Sequence, residues 1–397
     1  MALFALTSVN AQWIRLNSGA TENLNSVFCI TKNLVFVAGD NGKILKTTNG
    51  GMDWSIGNSN TINKINSIFF IDSLVGFSVG DNGTIIKTTD GGNNWELQTS
   101  NTNNQLNSVY FINKNIGFVV GMHSTLIKTI NGGINWEVDS SFGPCCLYLN
   151  SIYFTSENKG RILGYDLPGT IILTTTDTGE TWDMWIDPEA EGTNWWAGHA
   201  MTESFDEVIV AGDNGKVKNL LNGMGWWDCF GAPLGNGSDL NSVYAIKNQL
   251  NKWYAVGANG TVGFFPNTGN GNQVSGVSSD LNSIYFADSL TGYIAGDSGV
   301  ILKTTNGGYT ITNVLHKDKQ IFSVYPNPVN TQLIVETANL IQSSSILTIC
   351  NINGQELIKQ KLTDAKTKID VSNLTSGIYF IKLFNDNTIE VQKIIKE

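Results

Sequence analysis

Lys46-Thr47-Thr48-Asn49-Gly50-Gly51-Met52-Asp53-Trp54 returns as Lys87-Thr88-Thr89-Asp90-Gly91-Gly92-Asn93-Asn94-Trp95. It returns again as Lys128-Thr129-Ile130-Asn131-Gly132-Gly133-Ile134-Asn135-Trp136. The shared core is Thr-x-Asp/Asn-x-Gly-x-x-Trp. These residue types suit a tight turn between strands. The Asp or Asn side chain accepts backbone N–H bonds within the turn, and Gly supplies positive φ. The Trp then opens the next strand and brings a large ring to pack on the neighbouring unit. A fourth copy runs from Thr175 through Asp177 to Trp182. The residues expected to shape these boxes are Asn49 and Trp54, Asp90 and Trp95, Asn131 and Trp136, and Asp177 and Trp182.

A second phrase precedes each box: Leu24-Asn25-Ser26-Val27-Phe28, Ile65-Asn66-Ser67-Ile68-Phe69, Leu106-Asn107-Ser108-Val109-Tyr110 and Leu149-Asn150-Ser151-Ile152-Tyr153. It resumes at Leu240-Asn241-Ser242 and Leu281-Asn282-Ser283. The first four Asn positions are 41, 41 and 43 apart, and Asn150 to Asn241 is 91, room for two units. A unit with a degenerate first strand therefore falls near Trp196 to Met201. Hairpin turns such as Gly39-Asp40-Asn41-Gly42 and Gly80-Asp81-Asn82-Gly83 keep the same count, seven. Four short antiparallel strands every 40 or so residues is the period of a propeller blade. The expectation is an all-β chain, a seven-bladed β-propeller followed by a small Ig-like β-sandwich. Trp13-Ile14-Arg15-Leu16 matches the Trp-led strands, and the last unit has Ile311 where its Trp should stand. Residues 13–16 are thus candidates for the outer strand of the last blade. A blade completed by its own residues 311–314 is the rival.

Composition narrows the function. The net charge is −10, and Arg15 and Arg161 are the only arginines. No basic stripe is visible, so nucleic acid is not an expected partner. No run of about 18 apolar residues is present, so no membrane span is expected. Five cysteines lack metal spacing, and isolated buried thiols are the simplest reading, with a bridge from Cys145 or Cys146 to Cys229 as the alternative. The histidines, His123, His199 and His316, are scattered, so no metal site and no cofactor are expected. Residues 1–11 read as the remnant of a signal peptide, with Val9-Asn10-Ala11 as the small-residue cleavage pattern. Residues 12–315 form the propeller in this reading, 316–322 a linker, and 323–397 a separate module of short alternating strands.

The Thr-x-Asp/Asn-x-Gly-x-x-Trp turns resemble the Asp-box, or bacterial neuraminidase repeat. The whole unit is similar to the propeller family of the photosystem II stability/assembly factor, which implies the fold and leaves the ligand open. The final module resembles the type A sorting domain of type IX secretion. The matching residues include Tyr325-Pro326-Asn327-Pro328, Gly377, Tyr379, Lys393 and Lys396, with Asn353-Gly354 between them. That resemblance implies the type IX secretion machinery as a partner. It also implies transit through the periplasm to the outer cell surface or the medium.

Asp-box propellers include sialidases, which hold the substrate carboxylate with three arginines. Two arginines cannot build that cluster. Xyloglucanases with these boxes resemble two propellers in tandem, and this chain has one. A carboxylate pair for glycoside hydrolysis would have to come from Asp166, Asp183, Asp187, Glu189, Glu191, Asp206 and Glu207, whose simpler reading is a solvated acidic loop.

A site is expected where the repeat breaks, since its regular parts are committed to blade stacking. The longest break runs from Trp182 to Trp227. Trp185, Asp187, Trp195, Trp196, His199 and Trp227 are the candidate ligand-binding residues; inter-blade packing around an insertion is the alternative. The segment Phe142 to Tyr148 is a second break that can share that rim. The expected function is non-catalytic binding of an extracellular protein or glycan by a monomeric, secreted or surface-displayed propeller. A polysaccharide-active hydrolase or lyase on the rim of blades 4–6 is the rival.

Overall fold

The computed structural model describes residues 13–139, 147–166, 169–187, 195–200, 208–220, 226–228, 234, 237–246, 252–265, 271–308, 322–337, 346–351, 356–362, 364–385 and 388–397. It divides into two units, Met1–Ile311 and Thr312–Glu397. Cys145, Cys146, Cys229 and His316 lie outside the described residues, as do residues 1–11 and 311–314.

In the first unit the described residues form seven four-stranded antiparallel sheets, one per repeat. Blade 1 runs Leu24–Cys29, Val35–Gly39, Ile44–Thr47 and Ser55–Ile56, from the inner strand outward. Each inner strand touches the inner strand of the next blade, and that of Leu281–Phe286 touches Leu24–Cys29, so the sheets form a closed ring. Burial explains the composition of each strand. Second strands such as Val35–Gly39, Gly76–Gly80 and Gly117–Gly121 are buried throughout, and their sequences are near-continuous apolar runs. Outer strands such as Glu96–Gln98 and Glu137–Asp139 are largely exposed and polar.

The Leu-Asn-Ser phrase stitches neighbouring blades together. Asn25 Nδ2 donates to Ile65 O at 2.9 Å, Asn66 to Leu106 O at 2.9 Å and Asn107 to Leu149 O at 2.9 Å. Asn282 donates to Leu24 O at 3.1 Å and so repeats the stitch where the ring closes. The serine one position on accepts the next blade's backbone N–H, as Ser26 Oγ does from Ile68 N at 3.2 Å. The glycine ending each second strand has a different reason. A Cβ on Gly80 would stand 1.9 Å from Lys64 O, so only glycine fits there.

Three of the four box tryptophans meet a stacked aromatic pair edge-on, while Trp54 packs against the cluster that holds Cys29 and Tyr293. Phe36 and Phe70 stack at 3.7 Å, and Trp95 stands on Phe70 at 83°. Phe77, Phe111 and Trp136 repeat this, as do Phe118, Phe154 and Trp182. Edge-to-face geometry places the positive ring edge on the negative face.

Trp13 fills the same place in the last blade. It stands edge-on to Tyr254 and Phe286, themselves stacked at 4.2 Å, and its Nε1 donates to Gln273 Oε1 at 2.7 Å. Ile14–Leu16 pairs antiparallel with Val300–Thr304 as that sheet's outer strand. The beginning of the chain thus completes the blade that the end of the propeller begins.

The second unit holds two sheets. One contains Phe322–Tyr325, Gln332–Thr337 and Lys366–Asp370; the other orders Glu356–Lys361, Ile346–Cys350, Gly377–Asn385 and Thr388–Lys396. Phe322, Leu333, Leu347, Ile349, Ile381 and Ile394 are buried in one core. Phe322, read from the sequence as the last linker residue, starts the first strand and belongs to that core.

Candidate functional site

Blade 4 rises above its neighbours. In blades 1–3 the second strand stops at Gly39, Gly80 or Gly121. In blade 4 the second strand continues to Asp166 and the third begins at Gly169, adding the pairs Tyr165↔Thr170 and Asp166↔Gly169. Tyr148 of the inner strand pairs with Tyr165, and Asp187 of the outer strand pairs with Thr170. One register row, Tyr148, Tyr165, Thr170 and Asp187, therefore crosses the whole raised end of the blade.

That row carries an aromatic cluster. Tyr148 and Tyr165 stack at 4.6 Å with their planes 5° apart. Trp196 of the next blade meets Tyr165 edge-on at 5.6 Å, and His123 of the preceding blade lies 6.4 Å from Tyr148. His123 is exposed, while Tyr148, Tyr165 and Trp196 are half-buried. Partial burial, with Tyr148 and the Asp213 carboxylate nearby, pushes the Tyr165 phenol above its ordinary value. The Tyr165 phenol is thus neutral near pH 7, with the Asp213 carboxylate near it.

Trp196 reaches this place by a substitution within the repeat. Trp195 pairs with Gly212 and Ala197 with Ala211, with a bulge between, as Leu24 pairs with Gly39 and Ser26 with Ala38. Trp195-Trp196-Ala197 therefore takes the positions of Leu-Asn-Ser. Trp196 Nε1 donates to Asp213 Oδ1, reproducing the bond from Asn25 Nδ2 to Asp40 Oδ1. The larger ring keeps the donor and adds an aromatic surface.

The other sequence candidates disperse. Trp185 is on the outer strand of blade 4, opposite Ile172, and 42% exposed. Asp187, Trp195 and Trp227 are placed by their backbone alone. Trp227 pairs with Asn219 on the outer strand of blade 5, at the opposite edge of the sheet from Trp195 and Trp196. His199 takes the central-channel position that Phe28 holds in blade 1; it lies 4.4 Å from Tyr244, and its Nδ1 accepts from Ala245 N at 3.4 Å. Asp166 and Asp183 belong to strands, not to an acidic loop. Glu189, Glu191, Asp206, Glu207 and residues 142–146 lie outside the described residues.

Tyr148, Tyr165 and Asp213 were not among the sequence candidates. The signal for the tyrosines was present. Leu24, Ile65 and Leu106 each face a glycine across the first hairpin, so Leu149 opposite Gly164 puts Tyr148 opposite Tyr165.

Residues 323–397 match the family model of the secretion system C-terminal sorting domain. Residues 93–192 match that of the photosynthesis system II assembly factor YCF48. The chain joins assembly-factor-type repeats to a sorting-type tail. Among solved structures, YCF48 bound to D1 peptide is similar at 19% identity and a TM-score of 0.60, over 75% of this chain and 100% of that one. YCF48 from Cyanidioschyzon merolae is similar at 18% identity and a TM-score of 0.60, over 74% and 98%. PorZ, a surface component of the type-IX secretion system of Porphyromonas gingivalis, is similar at 12% identity and a TM-score of 0.58, over 100% of this chain and 61% of that one. At these identities the likeness speaks to the fold alone. No curated protein matches the sequence. The sorting-type tail supports secretion to the cell surface or the extracellular space. No helix among the described residues is long and apolar enough to cross a membrane.

Within the tail, the Tyr325-Pro326-Asn327-Pro328 segment is tied to the final strand. Asn327 Nδ2 donates to Lys393 O at 2.9 Å, and its Oδ1 accepts from Ile395 N at 2.8 Å. Gly377 pairs with Lys396, and Tyr379 OH donates to Thr375 O at 2.8 Å.

The box residues close their own turns. Thr88 Oγ1 donates to Asp90 Oδ1 at 2.9 Å, which also accepts from Asn93 N and Asn94 N. Thr47 with Asn49, Thr129 with Asn131, and Thr175 with Asp177 repeat the hydroxyl bond. The Asn94 backbone and side-chain bonds hold the Asp90 carboxyl at about 2, and the Thr181 side chain and backbone do the same for Asp177. A carboxyl depressed on folding stabilises above its unfolded value, about 4, and loses that contribution as pH falls toward 2. The melting temperature is expected to decline across that window. Because Asn already serves at positions 49 and 131, the Asp90→Asn, Asp177→Asn double variant is expected to fold and to decline less steeply in calorimetry. A decline as steep as that of the parent removes these two groups from the acid response.

Proposed function

We propose that this chain is a secreted or surface-displayed propeller, delivered by type IX secretion, that holds an extracellular protein partner without chemistry on it. Residues 12–315 serve as the binding propeller and 323–397 as the sorting domain in this reading. The observation that carries it is the half-buried row Tyr148, Tyr165 and Trp196 on the raised end of blade 4. Tyr148 and Tyr165 already cover one face of each other, and Trp196 stands edge-on to Tyr165. The row therefore offers ring edges and hydroxyls more than open faces. A sugar stacks on an open face. A protein surface uses rigid Tyr and Trp edges as anchors that lose little rotamer freedom on binding. The Asp213 carboxylate beside the row favours a partner segment that brings a basic or N–H donor group. YCF48, similar in fold, has been seen holding a peptide.

The test is peptide-display selection on the immobilised protein, run beside a glycan and polysaccharide panel read for both binding and reducing-sugar release. Enriched peptides are expected to lose at least tenfold in affinity on Tyr165→Ala or Trp196→Ala, since hot-spot aromatics cost about 2 kcal/mol or more when truncated. Glycan binding lost with the same variants would replace the protein partner by a carbohydrate. Sugar release would install the hydrolase reading and direct attention to Asp166 and Asp187.

A further inference from the structure

The ring's centre is not a solid core. The inner strands enclose a cavity of about 460 Å³, within the range of small-molecule sites. Two tiers of side chains line it. One is aromatic: Phe28 lies 5.1 Å from Phe69 and 4.8 Å from Tyr285, and Tyr244 lies 4.9 Å from Tyr285. Tyr110 OH donates to Phe154 O and Tyr244 OH to Phe286 O, so these phenols are pinned to backbone oxygens. No Lys, Arg, Asp or Glu is among the lining residues.

The second tier is serine. Ser26 Oγ accepts from Ile68 N at 3.2 Å, Ser108 from Ile152 N at 3.4 Å, Ser242 from Ile284 N at 3.3 Å and Ser283 from Val27 N at 3.1 Å. All four line the cavity. A hydroxyl has one proton and two lone pairs. Here a lone pair is engaged by the neighbouring blade, and among the described residues none of the four donates its proton. Four O–H donors thus ring a cavity walled by aromatic carbon. Blade 5 breaks both tiers at once, with Ala197 for the serine and His199 for the aromatic ring.

We propose that this channel is a second binding site, taking a small monocarboxylate with an aromatic or apolar body. The carboxylate oxygens accept from the serine ring and the body rests on the aromatic tier, with Ala197 the position of the ring that lacks the hydroxyl. Bonds from neutral hydroxyls to an ionised acceptor are among the stronger ones in protein interiors. The lack of a fixed cation on the wall suits a single negative charge better than a phosphate. Burial raises the Tyr244 and Tyr285 phenols, so they stay neutral and do not repel an anion near pH 7. The site is separate from the aromatic row of blade 4 and does not rest on the partner assigned there.

The experiment uses the full chain with benzoate as probe, benzylamine as its cationic counterpart, and titration calorimetry with saturation-transfer NMR as readouts. Benzoate is expected to bind and benzylamine not. Ala197→Ser completes the hydroxyl ring with a residue other blades already carry there, and is expected to tighten benzoate about tenfold, the worth of one hydrogen bond to a charged group. Ser242→Ala is expected to weaken it by a similar factor, and Tyr165→Ala to leave it unchanged. Equal binding of benzylamine, an unchanged affinity in Ala197→Ser, or no benzoate binding at millimolar concentration would each leave the channel a water column and overturn the proposal.

Discussion

Replacing Trp13 with alanine is expected to cost the propeller about 3–5 kcal/mol, the range for truncating a large buried aromatic. The side chain is 1% exposed and contacts Tyr254 and Phe286 from two different blades. Its indole N–H is satisfied by Gln273, whose amide oxygen would lose that donor on truncation. Trp95, 0% exposed, stands edge-on to Phe70 in blade 2 and donates to Gly92 O, so Trp95→Ala is expected to lose a similar amount. The two variants differ in where the damage spreads. Trp95 is flanked by its own blade in sequence, whereas Trp13 anchors the three residues that complete blade 7. Hydrogen exchange of the amides in Val300–Thr304 is therefore expected to accelerate in Trp13→Ala and not in Trp95→Ala. Ile14→Ser, at a position 61% exposed, is the control and should be near neutral. A guanidinium midpoint for Trp13→Ala within error of the parent would mean that residues 13–16 do not hold the ring.

Ending the chain at residue 321 is expected to abolish its appearance outside the cell while leaving the propeller's melting temperature unchanged. The tail matches a sorting domain, and its core is self-contained: the buried cluster is drawn from residues at and beyond Phe322. Among the described residues the other hydrophobic clusters draw on Trp13 to Leu302. Among the described residues each core is built within its own unit, so the expected loss is one of address and not of stability. Fractionating a host with type IX secretion should find the truncated protein in the periplasm, folded. Finding it in the medium at the parental level would deny the tail its sorting role. Asn327→Ala is a finer probe, since it removes the two bonds that tie the proline-rich turn to the last strand.

Much of this architecture was legible because its signals are periodic. The Leu-Asn-Ser phrase could be counted without knowing its purpose, and Trp13-Ile14-Arg15-Leu16 could be matched to Trp95-Glu96-Leu97 by eye. What the phrase does was hidden. The partner of Asn25 is the carbonyl of Ile65, and no one-dimensional pattern states that one blade's amide caps the next blade's strand. The site was legible only as a neighbourhood. Broken repeats led to Trp196, but a tryptophan in an asparagine slot looks like degeneration until Asp213 is seen accepting its N–H. The remaining candidates scattered because a blade spreads its residues radially: the inner and outer strands of one sheet hold Trp196 and Trp227 at opposite edges. Tyr165 was missed because the lengthened hairpin that lifts it differs from its siblings by only a few residues.

The pairing of Ile14–Leu16 with Val300–Thr304 also sets a schedule. The clasp is the first part of the propeller to leave the ribosome, and its seat is the last. Until the last strands of the propeller have been made, blade 7 lacks its outer edge and the assembly remains an open arc, with an unpaired strand at one tip. Contacts between such distant segments are also the slowest to form. The circle therefore locks only once the last strand of blade 7 has been made, and the clasp marks the propeller as complete.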